Sequence, residues 1–145
     1  MKTNRTRIFS SLTSWAAILS VAAVGWSQGC GRAASYTGPS LVQHVDADAF
    51  NEIVDRAAVP VVVNFWAPWC PPCRALSPTL DKLSAEFEDR LTVLKVNVDD
   101  NQALAESLEI RSIPATLVFK EGRSVDSRIG GGREDDFREW FAAQL

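Results

Sequence analysis

Cysteine and histidine are scarce in this chain, which has three cysteines and one histidine among 145 residues. A structural zinc site takes four Cys or His ligands, commonly supplied as two close pairs. One close pair is present, Cys70 and Cys73, and the other candidate ligands are the isolated Cys30 and His44. Because no second pair completes a tetrahedron, the sequence argues against a metal site.

A surplus of positive charge is also missing. Every charged residue before Asp46 is basic, and from Asp46 onward 11 Lys and Arg face 18 Asp and Glu, a net charge of about −7. An acidic domain repels the phosphate backbone, which disfavours nucleic acid as a partner. A hydrophobic content of 46% over 145 residues is enough for one ordinary core. We therefore expect one globular domain, acting as a monomer.

No uninterrupted apolar run reaches the length of a bilayer span. The apolar block at residues 15–24, after a basic start at residues 1–7, has the length of the central region of a signal peptide. This pattern predicts export to the periplasm or cell envelope of a bacterium. Residues 1–29 are interpreted as a signal peptide or an uncleaved membrane anchor, residues 30–39 as a tether, and residues 40–145 as the folded domain.

Cys30 ends a segment, Ser27-Gln28-Gly29-Cys30, that resembles the processing site of a bacterial lipoprotein. In such sites a small residue precedes a cysteine that is lipidated, although Ser27 stands where an aliphatic residue is usual. Cys30 is therefore a candidate lipid attachment site. The alternatives are a free thiol in the tail and a bystander beside an uncleaved anchor. Lipidation would account for an odd number of cysteines in an exported protein.

Blocks of apolar periodicity predict strands and helices in alternation. The nearly continuous apolar run at residues 61–66 is typical of a strand covered on both faces. Leu76, Leu80, Leu83 and Phe87 recur with the period of a helix that buries one stripe. The other predicted strands are residues 41–45, 91–98, 116–120 and 124–129, and the other predicted helices are residues 48–57, capped by Asp46 or Asp48, 102–108 and 133–144. This order predicts an α/β fold with a mixed sheet between helices.

Two cysteines separated by two prolines, in Trp69-Cys70-Pro71-Pro72-Cys73, lie between the 61–66 strand and the helix that follows. At a helix N-terminus, unpaired N–H groups and the helix dipole favour a thiolate, so Cys70 is placed to attack a disulfide. Cys73, one turn further along, can then close a disulfide on Cys70 and release the captured substrate. A purely structural disulfide is the alternative, but so short a loop stabilises weakly. The motif predicts redox catalysis by Cys70 and Cys73, with no further cofactor.

Residues 40–145 resemble the thioredoxin family. The matching motifs are residues 63–74 (VNFWAPWCPPCR), 95–99 (KVNVD), 111–116 (RSIPAT) and Gly130. The resemblance implies a thioredoxin fold, with a central mixed sheet of about five strands between about four helices. It also implies a cis bond between Ile113 and Pro114 next to the cysteines. The groove that receives an extended substrate chain would be formed by Trp69, Ile113, Pro114 and Gly130.

One polar position departs from the family pattern and changes what its neighbour Lys95 can pair with. The family usually has an aspartate where this chain has Asn64, and an amide cannot act as a general base at neutral pH. Deprotonation of Cys73 must then use water, the departing thiolate or another group. Lys95 loses the carboxylate that the family would pair with it. We expect Lys95 either to be pushed toward neutrality or to turn toward Cys70, the alternative being that it extends to solvent.

The residues between the cysteines depart as well, because Pro71-Pro72 stands where reductive thioredoxins usually have Gly-Pro. Pro71 has no N–H to offer the Cys70 thiolate. Fewer donors stabilise the reduced form less, which favours a reducing potential. Asn64, Lys95, Pro71 and Pro72 are therefore the candidate redox-tuning residues.

The leading hypothesis is an exported, membrane-tethered oxidoreductase that reduces protein disulfides. Because the extracytoplasmic space offers no obvious dithiol pool, it implies a membrane electron donor. One alternative is a thiol reductase for cytochrome c maturation, although residues 74–113 leave no space for the central insertion of that branch. Oxidase and isomerase roles also stay open, and a further alternative is a thioredoxin-like module that binds partner chains without turnover.

Overall fold

The computed structural model describes residues 36–145. The signal peptide or anchor predicted at residues 1–29, Cys30 and most of the 30–39 tether lie outside the described residues. The described chain forms β1 (Gln43–His44), α1 (Ala47–Arg56), β2 (Val61–Trp66), α2 (Pro71–Glu86), β3 (Thr92–Asn97), α3 (Gln102–Ser107), β4 (Ala115–Lys120), β5 (Arg123–Ile129) and α4 (Glu134–Ala142). No helix within residues 36–145 combines the length and apolarity needed to cross a membrane.

The five strands form one mixed sheet in the order β1-β3-β2-β4-β5. β1, β3 and β2 run parallel, whereas β4 is antiparallel to both β2 and β5. The central position of β2 explains its sequence, since Val61, Val62, Val63 and Phe65 are all at most 1% exposed. The fold predicted from the sequence, a mixed sheet of five strands with four helices, is confirmed.

Each face of the sheet carries its own apolar cluster. On one face, Phe50 and Val54 of α1 and Leu104 of α3 pack against alternate residues of β2, β3 and β4. On the other face, the predicted stripe of α2 and two phenylalanines of α4, Phe137 and Phe141, pack against the intervening residues. The alternation of side chains along each strand therefore decides which residues face α2.

β1 is shorter than the predicted strand at residues 41–45. Its register partners in β3 are those of Gln43 and His44, and the Val45 N–H adds one more bond, to the Lys95 carbonyl at 3.0 Å. The Leu41 N–H donates to Ser84 Oγ at 3.1 Å rather than to a neighbouring strand. On the other side Asp46 ends the strand, because its carboxylate accepts from the Ala49 N–H at 2.9 Å and caps α1. Of the two predicted caps, Asp46 is the one used.

Candidate active site

Cys70 and Cys73 form a disulfide at the N-terminus of α2, with 5.3 Å between their Cα atoms. Cys70 is the N-cap, and its Sγ accepts from the Cys73 N–H at 3.3 Å. The prediction that Cys70 lies at a helix N-terminus is therefore confirmed. Both residues are 3% exposed and form a buried cluster with Ala67, against which Ile113 packs.

The two prolines occupy the first two helical positions after the cap. An N-cap side chain accepts from the second or third helical N–H, and those positions belong to Pro72 and Cys73. Pro72 is thus the residue whose missing N–H leaves Cys70 with one donor. The sequence-based argument assigned this effect to Pro71, but the N–H of the first helical position does not reach the cap side chain.

Four residues are expected from the sequence to form a substrate groove, and we call this set the front face (Trp69, Ile113, Pro114 and Gly130). Trp69 is 63% exposed, and its Nε1 donates to Asp99 Oδ2 at 2.9 Å. The Ile113–Pro114 bond is cis, as expected. Gly130 donates its N–H to the Pro114 carbonyl at 2.7 Å. This bond joins the residue before β4 to the residue after β5.

Gly130 has a positive φ of 89°, and no atom lies within 4 Å of the place where a Cβ would stand. The space is open, so the requirement for glycine comes from the backbone conformation rather than from crowding. A side chain at this position would also project from the front face.

Behind the disulfide, Asn64 takes a buried position on β2 with 1% of its surface exposed. Its Nδ2 donates to Thr116 Oγ1 at 3.0 Å and to the Ala115 carbonyl at 3.5 Å. These bonds orient the amide and tie β2 to β4. An amide so held cannot accept the Cys73 proton at neutral pH.

Lys95 of β3 is 5% exposed, and its Nζ lies 2.5 Å from Ser77 Oγ and 3.3 Å from Asp81 Oδ1. Both partners belong to α2. The carboxylate that the family would supply from β2 is absent, as expected, but Asp81 supplies one from the helix instead. The low exposure also contradicts the alternative that Lys95 extends to solvent. Its effect on the redox pair stays a prediction.

A cavity of about 230 Å³ lies between α2 and the sheet, and we call it the rear cavity. Its lining includes His44, Asn64, Trp66, Cys73, Ser77 and Lys95. Sequence reasoning considered His44 only as a metal ligand and missed its place here. The signal that would have found it is the pairing of His44 with Lys95, which depends on the β1–β3 register.

Comparison with known proteins gives a consistent result. A sequence model of the thioredoxin family matches residues 41–143. The chain belongs to the thioredoxin family. The thioredoxin of Pyropia yezoensis is 45% identical over 91 residues, which cover 63% of this chain and 84% of that protein. The thioredoxin of Haemophilus influenzae is 41% identical over 91 residues, which cover 63% of this chain and 85% of that protein. The thioredoxin of Rickettsia bellii is 37% identical over 101 residues, which cover 70% of this chain and 96% of that protein.

Membership in the thioredoxin family makes the protein a protein-disulfide oxidoreductase, with a cysteine pair at the helix position where that chemistry is expected. The domain carries a thioredoxin fold throughout the described residues. The matched region begins at residue 41, close to the predicted domain start at residue 40. The groove roles of Trp69, Ile113, Pro114 and Gly130 and the lipidation of Cys30 stay predictions.

Proposed function

We propose that this protein reduces protein disulfides outside the cytoplasm of a bacterium, tethered to a membrane and supplied with electrons by a membrane donor. The observation that carries the direction is the single N–H donor at Cys70. A thiolate at an N-cap is stabilised by each hydrogen bond it accepts, and Pro72 removes one of the two available donors. A less stabilised reduced form gives up its electrons more readily.

The proposed cycle starts from the dithiol. The Cys70 thiolate attacks one sulfur of a substrate disulfide, a Cys70–substrate disulfide forms, and the other substrate sulfur leaves as a thiolate and takes a proton. Cys73 then loses its proton and attacks Cys70 Sγ. The bond between Cys70 and the substrate breaks, its electron pair leaves on the substrate sulfur, and the Cys70–Cys73 disulfide forms. The substrate gains two electrons and the cysteine pair loses two.

The residues of the front face favour an extended protein chain as the substrate. Trp69 offers an exposed aromatic surface, and Ile113 packs against the buried cluster that contains the two cysteines. Gly130 leaves open space above its backbone. A chain lying across these residues would present its disulfide to Cys70 while its main chain pairs with the backbone of Ile113.

The proposed tether is based on the sequence before residue 36, and the proposed electron donor is based on the compartment that this sequence indicates. A basic start, a short apolar block and a cysteine after Gly29 favour export with lipidation of Cys30. Thiol pools that keep cytosolic cysteines reduced do not extend outside the membrane, so a dithiol carried by a membrane protein is the donor class required. Mass measurement of the mature N-terminus tests the anchor, since a diacylated or triacylated Cys30 is expected.

The redox potential of the pair is the decisive measurement for direction. We expect a value near or below that of reducing thioredoxins, about −270 mV, determined by equilibration with glutathione or dithiothreitol buffers. A value near about −120 mV, that of a strongly oxidising periplasmic enzyme, would contradict a reductase role.

Substitution of each proline separates the donor effect from other effects of the motif. Pro72→Ala restores the second helical N–H, which should raise the potential by roughly 30 mV, the equivalent of about one hydrogen bond to a thiolate. Pro71→Ala restores an N–H that the cap side chain does not use and serves as the matched control. Equal shifts in the two variants would show that the donor count does not set the potential.

A further inference from the structure

Three strands contribute side chains from one transverse row of the sheet to the rear cavity. His44 of β1 is the register partner of Lys95 in β3, which is in turn the partner of Asn64 in β2. Partners in parallel strands point to the same face, and this is the face that α2 covers. The row therefore leads from Asn64, behind the disulfide, to His44 on the edge strand.

The rear cavity connects the buried sulfur of the pair to this row. Cys73 lies on its lining together with His44, and a volume of about 230 Å³ holds several water molecules. Polar groups that hydrogen-bond water are present on the same lining, on Asn64, Ser77 and Lys95. His44 is itself exposed, so a residue on the lining of the cavity is also in contact with solvent.

Among the side chains that line the rear cavity, only the imidazole is suited to accept a proton at neutral pH. Asn64 carries an amide, and Ser77 accepts from the Lys95 ammonium. Lys95 is paired with Asp81, and Arg74 is a permanent cation whose Nη1 donates to the Pro68 carbonyl at 2.8 Å. His44 remains, a group whose ordinary titration lies near neutrality.

Burial, followed by the Lys95 charge, lowers the pKa of His44 below its usual value of 6.5, against the opposing effect of Asp81. The imidazole is therefore neutral at pH 7. The charged groups that face it from the surrounding elements are Lys95 on β3, Arg74 and Asp81 on α2, and Asp46 and Asp100 across the neighbouring cavity. An edge contact with the Trp66 ring, at 5.7 Å between centroids, helps to hold the imidazole in place.

We propose that His44 accepts the Cys73 proton, through water in the rear cavity, when Cys73 attacks the Cys70–substrate disulfide. The proton moves from Cys73 Sγ to water and from water to the imidazole, while the Cys73 electron pair forms the new bond to Cys70. The substrate sulfur leaves with the electrons of the bond that breaks. The imidazolium then returns its proton to solvent at the exposed edge. The role of His44 rests on the proposed function in one respect: it requires the second step of the cycle, the attack of Cys73 on Cys70.

The two steps can be followed separately with a disulfide of two thionitrobenzoate groups. Attack by Cys70 releases the first yellow thiolate, and attack by Cys73 releases the second. In His44→Gln we expect the first release to keep its rate within about twofold and the second to slow at least about tenfold at pH 7. The rate of the second release in the native protein should fall in acid with a midpoint below 6.5, because the imidazole becomes charged there, and this inflection should be absent from His44→Gln.

Two further variants separate a proton acceptor from a structural role. In His44→Ala, added imidazole should restore the second release in proportion to its concentration, whereas the native protein should not respond. Gln43→Ala perturbs the same two-residue strand without lining the rear cavity and should leave both releases unchanged. An unaltered second release and pH profile in His44→Gln would overturn the assignment, as would a slowed second release in His44→Ala that imidazole does not restore. Absence of both releases in the native protein would instead contradict the proposed function.

Discussion

The front face and the rear cavity are built from different kinds of groups. The front face offers an exposed indole, an isoleucine, a proline and a glycine, and none of these side chains is charged or titratable. The rear cavity offers an imidazole, an ammonium, an amide and a hydroxyl. In the proposed cycle the front face positions a substrate at Cys70, and the rear cavity handles the proton of Cys73. That cycle assigns capture and release to separate surfaces.

The largest expected effect separates the two cysteines themselves. In an insulin-reduction assay with dithiothreitol as the reductant, Cys73→Ser should stop the cycle after the attack of Cys70. The substrate should then stay covalently bound to Cys70. Non-reducing electrophoresis and mass spectrometry would detect these adducts. Cys70→Ser is the matched control and should trap none. If Cys73→Ser accumulates no adducts in cells, exchange with protein substrates is in doubt.

A smaller effect is expected from placing a carboxylate in the rear cavity. Asn64→Asp should speed the second thionitrobenzoate release by several-fold at pH 7 in the native background. In His44→Gln the gain should be about tenfold or more, because the new carboxylate then replaces the missing proton acceptor. The first release, which belongs to the front face, should not change. Equal rates with and without the carboxylate would show that proton removal does not limit this step.

The smallest expected effect is a difference in the free energy of unfolding between a variant in the rear cavity and a variant on the front face. Lys95→Met should lower the free energy of unfolding by about 1–2 kcal/mol, because it leaves Asp81, whose side chain is 27% exposed, without its cation. Trp69→Ala should change it by about 0.5 kcal/mol or less but should raise KM for insulin. Urea unfolding at pH 7 measures the first quantity.

Lys82→Met is the matched control for Lys95→Met. Lys82 also extends from α2 to a carboxylate, but its partner Glu134 and its own side chain are 35% and 44% exposed. Its removal should cost about 0.5 kcal/mol, as expected of an exposed ion pair. If Lys82→Met lowers the free energy of unfolding as much as Lys95→Met does, burial does not explain the effect of Lys95.

Local sequence signals were sufficient for most of the fold. The apolar run of β2 and the stripe of Leu76, Leu80, Leu83 and Phe87 on α2 predicted elements that the structure contains at nearly the same bounds. The N-cap position of Cys70 was also predictable, because it depends only on where the next helix begins. The family resemblance added the cis bond before Pro114, which no local pattern requires.

The rear cavity could not be predicted in the same way, since its contacts join residues far apart in the chain. Lys95 meets Asp81 only because α2 packs across β3, and the sequence gives no sign of which turn of the helix faces the lysine. His44 reaches the same cavity through the β1–β3 register, which two residue pairs define. The assignment of the missing donor to Pro72 needed the exact start of α2.

The row of His44, Lys95 and Asn64 has a consequence for assembly of the sheet. A slip of β3 by one residue against β2 would turn Lys95 from α2 toward the opposite apolar cluster, where neither Ser77 nor Asp81 could follow. An unpaired ammonium buried there would cost several kcal/mol. The residues that surround the reactive sulfur therefore also penalise misaligned strands, so the chain is steered to one alignment by the same polar groups that its chemistry requires.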